Sequence, residues 1–162
     1  MTRFATIGSN FVTDSFLEAA QGVEGFQLEG VYSRTRARAE EFAAKWGAPR
    51  TYTSLDALCA DPAIEAVYVA SPNACHEAQT IALLKAGKHV LCEKPIAPDS
   101  AALARMARAA REAGRVLMEA MMPAHTPAYR AIRAAMAQIA PVRRATLRFC
   151  KYSSRYDKFK AG

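Results

Sequence analysis

Short apolar runs alternate with longer segments of helical periodicity through the first 120 residues of the chain. The apolar runs have the length of buried strands, and glycine or proline bounds several of them. The predicted strands are Arg3–Ile7, Gln27–Tyr32, Ala66–Ala70, Val90–Cys92 and Arg115–Ala120. The predicted helices are Asp14–Gln21, Arg36–Trp46, Leu55–Cys59, Ala74–Ala86 and Asp99–Ala113. Strands that alternate with helices indicate an α/β domain with an open parallel sheet.

The pattern changes where Pro123 and Pro127 interrupt it. A helix is predicted from Ala128 to Gln138. The alternation of apolar and polar residues then predicts a strand from Arg144 to Tyr152. We therefore place a domain edge near the two prolines.

Lys94 is a candidate functional residue at the end of the predicted strand that begins near His89. Pro95 fixes its own φ, biases Lys94 toward an extended backbone and can adopt the cis isomer in a tight turn. A lysine at the carboxyl end of a strand lies where open α/β sheets bind their ligands. On these residues alone, a solvated lysine in a strand-to-helix turn fits equally well.

A degraded glycine motif follows the first predicted strand. Gly8 holds the first position of a G-x-G-x-x-G pattern, whereas Asn10 and Thr13 stand at the second and third glycine positions. Asn accepts left-handed backbone angles better than most residues, and Thr13 offers a hydroxyl beside the helix N-terminal amides to a phosphate. The candidate phosphate loop comprises Gly8, Ser9, Asn10, Phe11, Val12 and Thr13. A plain strand-turn-helix connection is the alternative.

The second predicted strand ends in Ser33 and Arg34, with Arg36 and Arg38 close by. In a dinucleotide-binding fold this position reads the adenosine ribose, and an acidic residue there favours NAD. No acid is present here. A hydroxyl and a guanidinium suit a 2′-phosphate instead, so NADP is the expected cofactor and NAD the alternative. An ordinary basic helix start would explain the same residues.

The buried strand that ends at Ala70 is followed by Ser71, Pro72 and Asn73. Asn73 can cap the next helix or donate a hydrogen bond to a ligand. His76 falls in the first turn of that helix, where either a structural role or a cofactor contact is open.

Composition narrows the class of protein. The 162 residues have room for one α/β domain, or for one domain and part of a second. No apolar run approaches membrane-spanning length, and the N-terminus lacks the pattern of a signal peptide. The cysteines are Cys59, Cys75, Cys92 and Cys150. Their spacing fits neither a metal site nor a redox motif, so we expect free thiols in a reducing cytoplasm and no metal.

The net charge of +7 is concentrated in a C-terminal segment. Residues 1–142 hold fifteen Lys and Arg against fourteen Asp and Glu, whereas residues 143–162 hold seven against one. Such a segment is most often a solvated face and sometimes an anion-binding patch. Binding of a nucleic acid or another anion by this segment is therefore a functional hypothesis that we do not favour.

Two motifs, in this order and at this separation, carry a resemblance to a known family. The first runs from Val67 to Asn73 with His76, and the second runs from Ala86 to Pro95. The chain resembles the N-terminal half of the Gfo/Idh/MocA oxidoreductases (glucose–fructose oxidoreductase, inositol dehydrogenase and MocA-like proteins). Residues 119–122 are similar to the crossing point of the dihydrodiol-dehydrogenase-like members.

The resemblance implies a Rossmann-type doubly wound parallel sheet over residues 1–121, followed by the start of a truncated second α+β domain over 122–162. It implies hydride transfer between a nicotinamide and a hydroxyl-bearing carbon of a sugar, inositol or diol. Lys94 would be the catalytic residue and would also touch the cofactor. The residues implied to bind the cofactor are the candidate phosphate loop, Ser33, Arg34, Arg38, Ser71, Pro72, Asn73, His76, Glu93 and Lys94.

Length is the main departure from the family, whose members run to more than twice 162 residues. The Asp and His that complete proton transfer in the family lie in its second domain, so we expect a truncated chain that is itself inactive or weakly active. A homo-oligomer through the C-terminal sheet is implied by the resemblance, with no membrane or nucleic-acid partner. The alternative function is a non-catalytic dinucleotide-binding or regulatory module.

Overall fold

A computed structural model describes residues 1–139, 141–150 and 156–161 of the chain. The strands are β1 (Thr2–Ile7), β2 (Phe26–Tyr32), β3 (Arg50–Tyr52), β4 (Ala66–Val69), β5 (His89–Glu93) and β6 (Leu117–Ala120). The helices are α1 (Phe11–Gln21), α2 (Arg36–Trp46), α3 (Leu55–Ala60), α4 (His76–Lys85), α5 (Ser100–Ala113), α6 (Pro127–Gln138) and α7 (Tyr156–Ala161). Short 3-10 turns cover Asn73–Cys75 and Met122–His125.

Local capping explains where the longer helices end. Asp99 accepts a hydrogen bond from the Ala102 amide at the start of α5. Gly47 and Gly114 follow α2 and α5 in the left-handed conformation that ends helices. These stops confirm the predicted C-terminal ends of α2 and α5.

The six strands form one parallel sheet in the order β3-β2-β1-β4-β5-β6. Strands β2 and β3 follow β1 on one side of the sheet, whereas β4, β5 and β6 follow one another on the other side. The order of the strands therefore reverses between β1 and β4, and doubly wound sheets bind their ligands in the crevice at such a point. The predicted Rossmann-type fold is therefore confirmed.

Successive strand residues pack against opposite layers of helices. Phe4 and Val31 contact the cluster that holds Leu17 of α1 and Phe42 of α2. Ala5, between them in register, belongs to the cluster on the other face. That second cluster takes its largest helical side chains from α3, α4 and α5, namely Leu58, Leu83, Leu84 and Met106. Both faces of the sheet are covered by apolar clusters, so a ligand can reach the sheet at the strand ends.

Three sequence predictions need correction. Helix α1 begins at Phe11 rather than Asp14, because Asn10 supplies its cap. Strand β3 was not predicted, since Arg50–Tyr52 has only three residues and no apolar run. The strand predicted from residue 144 is wrong over residues 144–150, which carry no strand pairing within the described residues and leave Leu147 95% exposed. Lys151 and Tyr152 lie outside the described residues.

The chain divides into two compact units, Met1–Met121 and Met122–Gly162. In the second unit, Thr126 caps α6 by accepting a hydrogen bond from the Tyr129 amide. Searching the described residues, we find no helix that is long and apolar enough to cross a membrane.

Gly30 tests the packing of β2 against β3. A Cβ at Gly30 would lie 2.6 Å from the Tyr52 ring, whereas a Cβ at Gly22 would meet nothing closer than 3.6 Å. We expect Gly30→Ala to lower the free energy of unfolding by about 1–3 kcal/mol, because overpacked sites shift their neighbours. Gly22→Ala is the control. Urea denaturation measures both, and equal stability of the two variants would contradict this packing.

Candidate functional site

The strand register brings four chain segments to one edge of the sheet. Ile7 is level with Tyr32 on one side and Val69 on the other, and Val69 is level with Cys92. The residues that follow β2, β1, β4 and β5 therefore lie side by side in that order. Three strand spacings separate the β2 end from the β5 end, about 14 Å. An extended ligand laid across this edge can touch all four segments.

Gly8 is required by the close approach of β1 to β4. Its φ is +107°, and a Cβ there would lie 2.5 Å from the carbonyl oxygen of Ala70. Any other residue would collide with backbone, which cannot move aside as a flexible side chain can. The backbone geometry therefore requires glycine at the first position of the motif, and no such requirement applies at the other two positions, which Asn10 and Thr13 occupy.

Asn10 shows why the second glycine is not needed. Its φ of −107° is ordinary extended backbone. The Asn10 Oδ1 accepts hydrogen bonds from the amides of Val12 (2.9 Å) and Thr13 (3.3 Å). Its Nδ2 donates to the Ala70 carbonyl oxygen at 3.1 Å. Asn10 thus caps α1 and fastens the turn to the end of β4.

The N-terminus of α1 fits a phosphate-bearing ligand. Thr13 is fully buried, and its hydroxyl has no hydrogen-bond partner within the part of the chain that the structure describes. An orphaned buried hydroxyl is costly unless something else satisfies it. Amides at the start of a helix attract anions. The residues present therefore fit the pyrophosphate of a dinucleotide, with Phe11 and Val12 in the same helical turn.

Two arginines that follow β2, Arg34 and Arg38, differ in the hydrogen bonds that they make. Arg38 donates to the Ser9 hydroxyl at 3.0 Å and to the Ser9 carbonyl oxygen at 2.7 Å, and it pairs with Glu41. Arg34 is exposed and makes no hydrogen bond or ion pair within the described residues. The half-buried Ser33 is held by its amide, which donates to the Tyr52 carbonyl oxygen. Arg38 thus contacts Ser9 of the candidate phosphate loop. The predicted contacts of Arg34 and Arg38 with a cofactor stay predictions.

The segment after β4 begins with a tethered serine and ends with an unengaged amide. The Ser71 hydroxyl donates to Gln79 at 2.6 Å. Asn73 is exposed, and neither the 3-10 turn nor α4 receives a side-chain cap. The alternative that Asn73 caps the next helix is therefore wrong. Its role as a ligand contact, like that of Pro72, stays a prediction.

His76 is fully buried at the start of α4. Its Nδ1 lies 2.9 Å from the carbonyl oxygen of Pro95, and its Nε2 lies 2.9 Å from that of Ser71. The predicted direct contact between His76 and a cofactor does not fit this geometry, because both ring nitrogens already face main-chain oxygens. The structural role that the sequence left open is the one the ring performs.

The turn after β5 presents Lys94. The Lys94–Pro95 peptide is cis, as the sequence allowed. The Lys94 amide donates to Glu93 Oε2 at 3.2 Å, and the Ile96 amide donates to Glu119 Oε1 at 2.9 Å. The Lys94 side chain is exposed, and no carboxylate of the described residues pairs with it. The backbone of the turn is held, while the ammonium stays available.

Tyr68 is a site residue that sequence reasoning missed. Its ring is 3% exposed and stacks on Phe16 with centroids 3.9 Å apart. Its hydroxyl donates to Glu93 Oε1 at 2.7 Å, and burial together with this hydrogen bond raises the pKa of the phenol above its ordinary value. The available signal was a phenol in an otherwise apolar strand, since a buried hydroxyl needs a partner.

Cys92 precedes these groups in β5 and contributes no nucleophile. Burial raises the pKa of its thiol to about 11. At neutral pH the thiol is protonated and unreactive. The predicted catalytic role of Lys94 stays a prediction.

A glycine turn and helix N-terminus at the strand-order reversal, with free cations at the β2 and β5 ends, define a Rossmann dinucleotide-binding domain. Residues 2–121 match the model of an oxidoreductase family with an NAD-binding Rossmann fold, Gfo/Idh/MocA. The chain belongs to this family. The resemblance drawn from the two sequence motifs is confirmed.

Curated relatives and solved structures agree with this assignment. The chain is 47% identical over 162 residues to scyllo-inositol 2-dehydrogenase (NADP(+)) IolU of Bacillus subtilis, covering 100% of this chain and 49% of that protein. It is 35% identical over 138 residues to trans-1,2-dihydrobenzene-1,2-diol dehydrogenase of Macaca fuscata fuscata, covering 84% of this chain and 41% of that one.

A 3-ketoreductase from Actinomadura kijaniata, solved with TDP-benzene and NADP, superposes with a TM-score of 0.79. It is 31% identical and is matched over 87% of this chain and 44% of its own. The chain thus spans about half the length of the relatives that it matches.

The hydrogen bond between Tyr68 and Glu93 is testable by a double-mutant cycle. Tyr68→Phe should lower the free energy of unfolding by about 1–3 kcal/mol, because a carboxylate loses its donor. In a Glu93→Gln background, loss of the Tyr68 hydroxyl should lower the free energy of unfolding by less, because no carboxylate then loses its donor. The double variant should therefore be more stable than the sum of the two single losses predicts. Urea denaturation of the four proteins gives the coupling. Strictly additive losses would mean that the two side chains do not interact.

Proposed function

We propose that the protein is a nicotinamide-dependent oxidoreductase that transfers a hydride between the cofactor and a hydroxyl-bearing carbon of a polyol, sugar or diol. The observation that carries the proposal is the Lys94 ammonium, which has no carboxylate partner in the described part of the chain and lies at the β5 end of the edge that also holds the Gly8 turn. The named activities of the inositol and dihydrodiol dehydrogenase relatives support the substrate class.

The cofactor would lie across the sheet edge from β2 to β5. The α1 N-terminus and Thr13 would hold the pyrophosphate, and Ser33 and Arg34 would hold the adenosine ribose. Asn73, Glu93 and Lys94 would face the nicotinamide half. An exposed arginine without an acidic neighbour at the β2 end favours a 2′-phosphate, so we propose a preference for NADP. The NADP(+) in the name of the Bacillus relative supports this preference.

Lys94 has the central role in the proposed mechanism. When bound, the nicotinamide supplies the hydride acceptor or donor. In the reduction direction, the Nζ of Lys94 would donate a hydrogen bond to the carbonyl oxygen and stabilise the negative charge that develops there as hydride reaches the carbon. In the oxidation direction, Lys94 would stabilise the alkoxide that forms when the hydroxyl proton passes to the Asp or His that the family resemblance places in the second domain, before hydride leaves the carbon. Glu93 holds the Lys94 amide, so the lysine backbone is oriented before substrate arrives.

Residues 122–162 would begin a second, C-terminal domain that supplies the walls of the substrate pocket and the surface for a homo-oligomer. The length of the relatives, about twice that of this chain, supports this assignment. A reducing compartment such as the cytoplasm is proposed because all four cysteines are free thiols.

Titration calorimetry with NADPH and, separately, NADH tests the proposal first. We expect tighter binding of NADPH by this chain, and reduction of NADP+ by a polyol such as scyllo-inositol when a C-terminal domain of the family is supplied. Cofactor binding without turnover of any polyol, sugar or diol would favour a non-catalytic dinucleotide-binding module. Binding of neither cofactor by folded protein would refute the proposal.

Arg34→Ala tests the cofactor preference. We expect NADPH affinity to fall by about tenfold or more, because a charge-assisted contact with the 2′-phosphate is lost, while NADH affinity changes little. Arg36→Ala is the matched control, since Arg36 is a neighbouring exposed cation that pairs with Glu40. Equal losses for the two cofactors would exclude Arg34 as the reader of the 2′-phosphate.

Lys94→Ala tests the proposed mechanism. We expect kcat to fall by about 100-fold or more, whereas cofactor affinity should stay within about tenfold. Lys85→Ala, an exposed lysine at the end of α4, is the control. The measurements are steady-state NADP+ reduction and cofactor titration. Unchanged kcat in the Lys94 variant would remove this residue from the mechanism.

A further inference from the structure

The turns after β4 and β5 are joined by one buried side chain. His76 presents Nε2 to the Ser71 carbonyl oxygen and Nδ1 to the Pro95 carbonyl oxygen, each at 2.9 Å. Ser71 lies two residues before Asn73, and Pro95 directly follows Lys94. Asn73 and Lys94, two of the three residues proposed to face the nicotinamide half, are therefore carried by turns that contact the same imidazole ring.

The His76 ring is closed to solvent and therefore to a direct contact with a ligand. His76 is 0% exposed. Carbonyl oxygens only accept, so a neutral ring donates to one of them at a time and a protonated ring donates to both. In either form the planar ring lies between the two oxygens and sets the distance between the turns. A rigid, buried spacer of this kind holds functional groups more closely than loop backbone does alone.

The ends of β4 and β5 are joined by strand pairing at Val69 and Cys92 and by the Tyr68–Glu93 hydrogen bond, and beyond them His76 makes the side-chain contacts that join the two turns in the described residues. Glu93 and Glu119 hold the amides of Lys94 and Ile96, which anchors the second turn to β5 and β6. Gln79 holds the Ser71 hydroxyl, which anchors the first turn to α4. None of these bonds joins the first turn to the second.

We propose that His76 is a positioning residue that sets the nicotinamide half of the cofactor site by fixing the Ser71–Asn73 turn against the Lys94–Pro95 turn. This inference rests on the proposed function, because it assumes that a nicotinamide dinucleotide lies along this edge. The proposal predicts that loss of the ring affects only the nicotinamide half, because the adenosine half of the site, at Ser33 and Arg34, makes no contact with His76.

The test compares NADPH with 2′,5′-ADP, which carries the 2′-phosphate and adenosine but no nicotinamide. His76→Phe keeps a ring and removes both polar atoms. We expect it to weaken NADPH binding by about tenfold and to change 2′,5′-ADP binding by less than about twofold. Thr80→Val is the matched control, since Thr80 is also 0% exposed on α4 and contacts neither carbonyl. It should alter neither affinity.

Two conservative variants keep the proposal falsifiable if His76→Phe fails to fold by circular dichroism. The amide of His76→Asn can replace the Nδ1 contact with Pro95, and that of His76→Gln can replace the Nε2 contact with Ser71. Each should restore part of the NADPH affinity without affecting 2′,5′-ADP. Equal weakening of both ligands, or folded variants that bind NADPH as tightly as the unaltered protein, would overturn the positioning role.

The unaltered protein separates this proposal from the proposed function. If it binds 2′,5′-ADP and NADPH, the His76 variants decide the inference alone. If it binds neither ligand, the dinucleotide site itself fails, and the inference fails with it.

Discussion

The close approach of the β1 turn to the carbonyl oxygen of Ala70 is the constraint on which the site depends. Gly8 has no Cβ that could collide with this oxygen, and the Asn10 side chain donates a hydrogen bond to it. The Ala70 amide in turn donates to the Ile7 carbonyl oxygen. These contacts close the boundary between β1 and β4, so that α1 begins beside the crevice where the strand order reverses.

The polar residues at this edge fall into two groups. One group is consumed by the protein itself: Arg38 by Ser9, Ser71 by Gln79, and Glu93 by Tyr68 and the Lys94 amide. The other group is exposed and has no partner in the described ranges, and it comprises Arg34, Asn73 and Lys94. The engaged side chains fix the backbone, and we expect the unengaged ones to contact a ligand, with Glu93 beside them still able to accept a further hydrogen bond. Such a division is expected where a binding site is organised before its ligand arrives.

Local pattern predicts most of the fold and only part of the site. The apolar spacing of Arg36–Trp46 predicts α2 with its observed ends, and the Lys94–Pro95 turn follows from a strand that stops at a proline. The start of α1 was missed because an Asn at a glycine position suggests a loop, whereas here it is a cap. The alternation after residue 143 is real, but a strand also needs a neighbouring strand to pair with.

Contacts between residues distant in the chain account for what the sequence could not supply. Tyr68 meets Glu93 across 25 positions, and His76 meets Pro95 across 19. The first pair depends on the β4–β5 register and the second on the packing of α4 beside β5, and local periodicity encodes neither.

The end of β4 connects the two halves of the candidate site. Ala70 and Ser71 are consecutive, and their carbonyl oxygens face different partners: Asn10 of the phosphate loop and His76 at the start of α4. The other nitrogen of His76 faces the carbonyl oxygen of Pro95, next to Lys94. A shift of the β4 end would therefore displace the phosphate loop and the lysine turn together. Displacement of this backbone should therefore affect both turns, whereas replacement of the His76 ring removes only its contacts with Ser71 and Pro95.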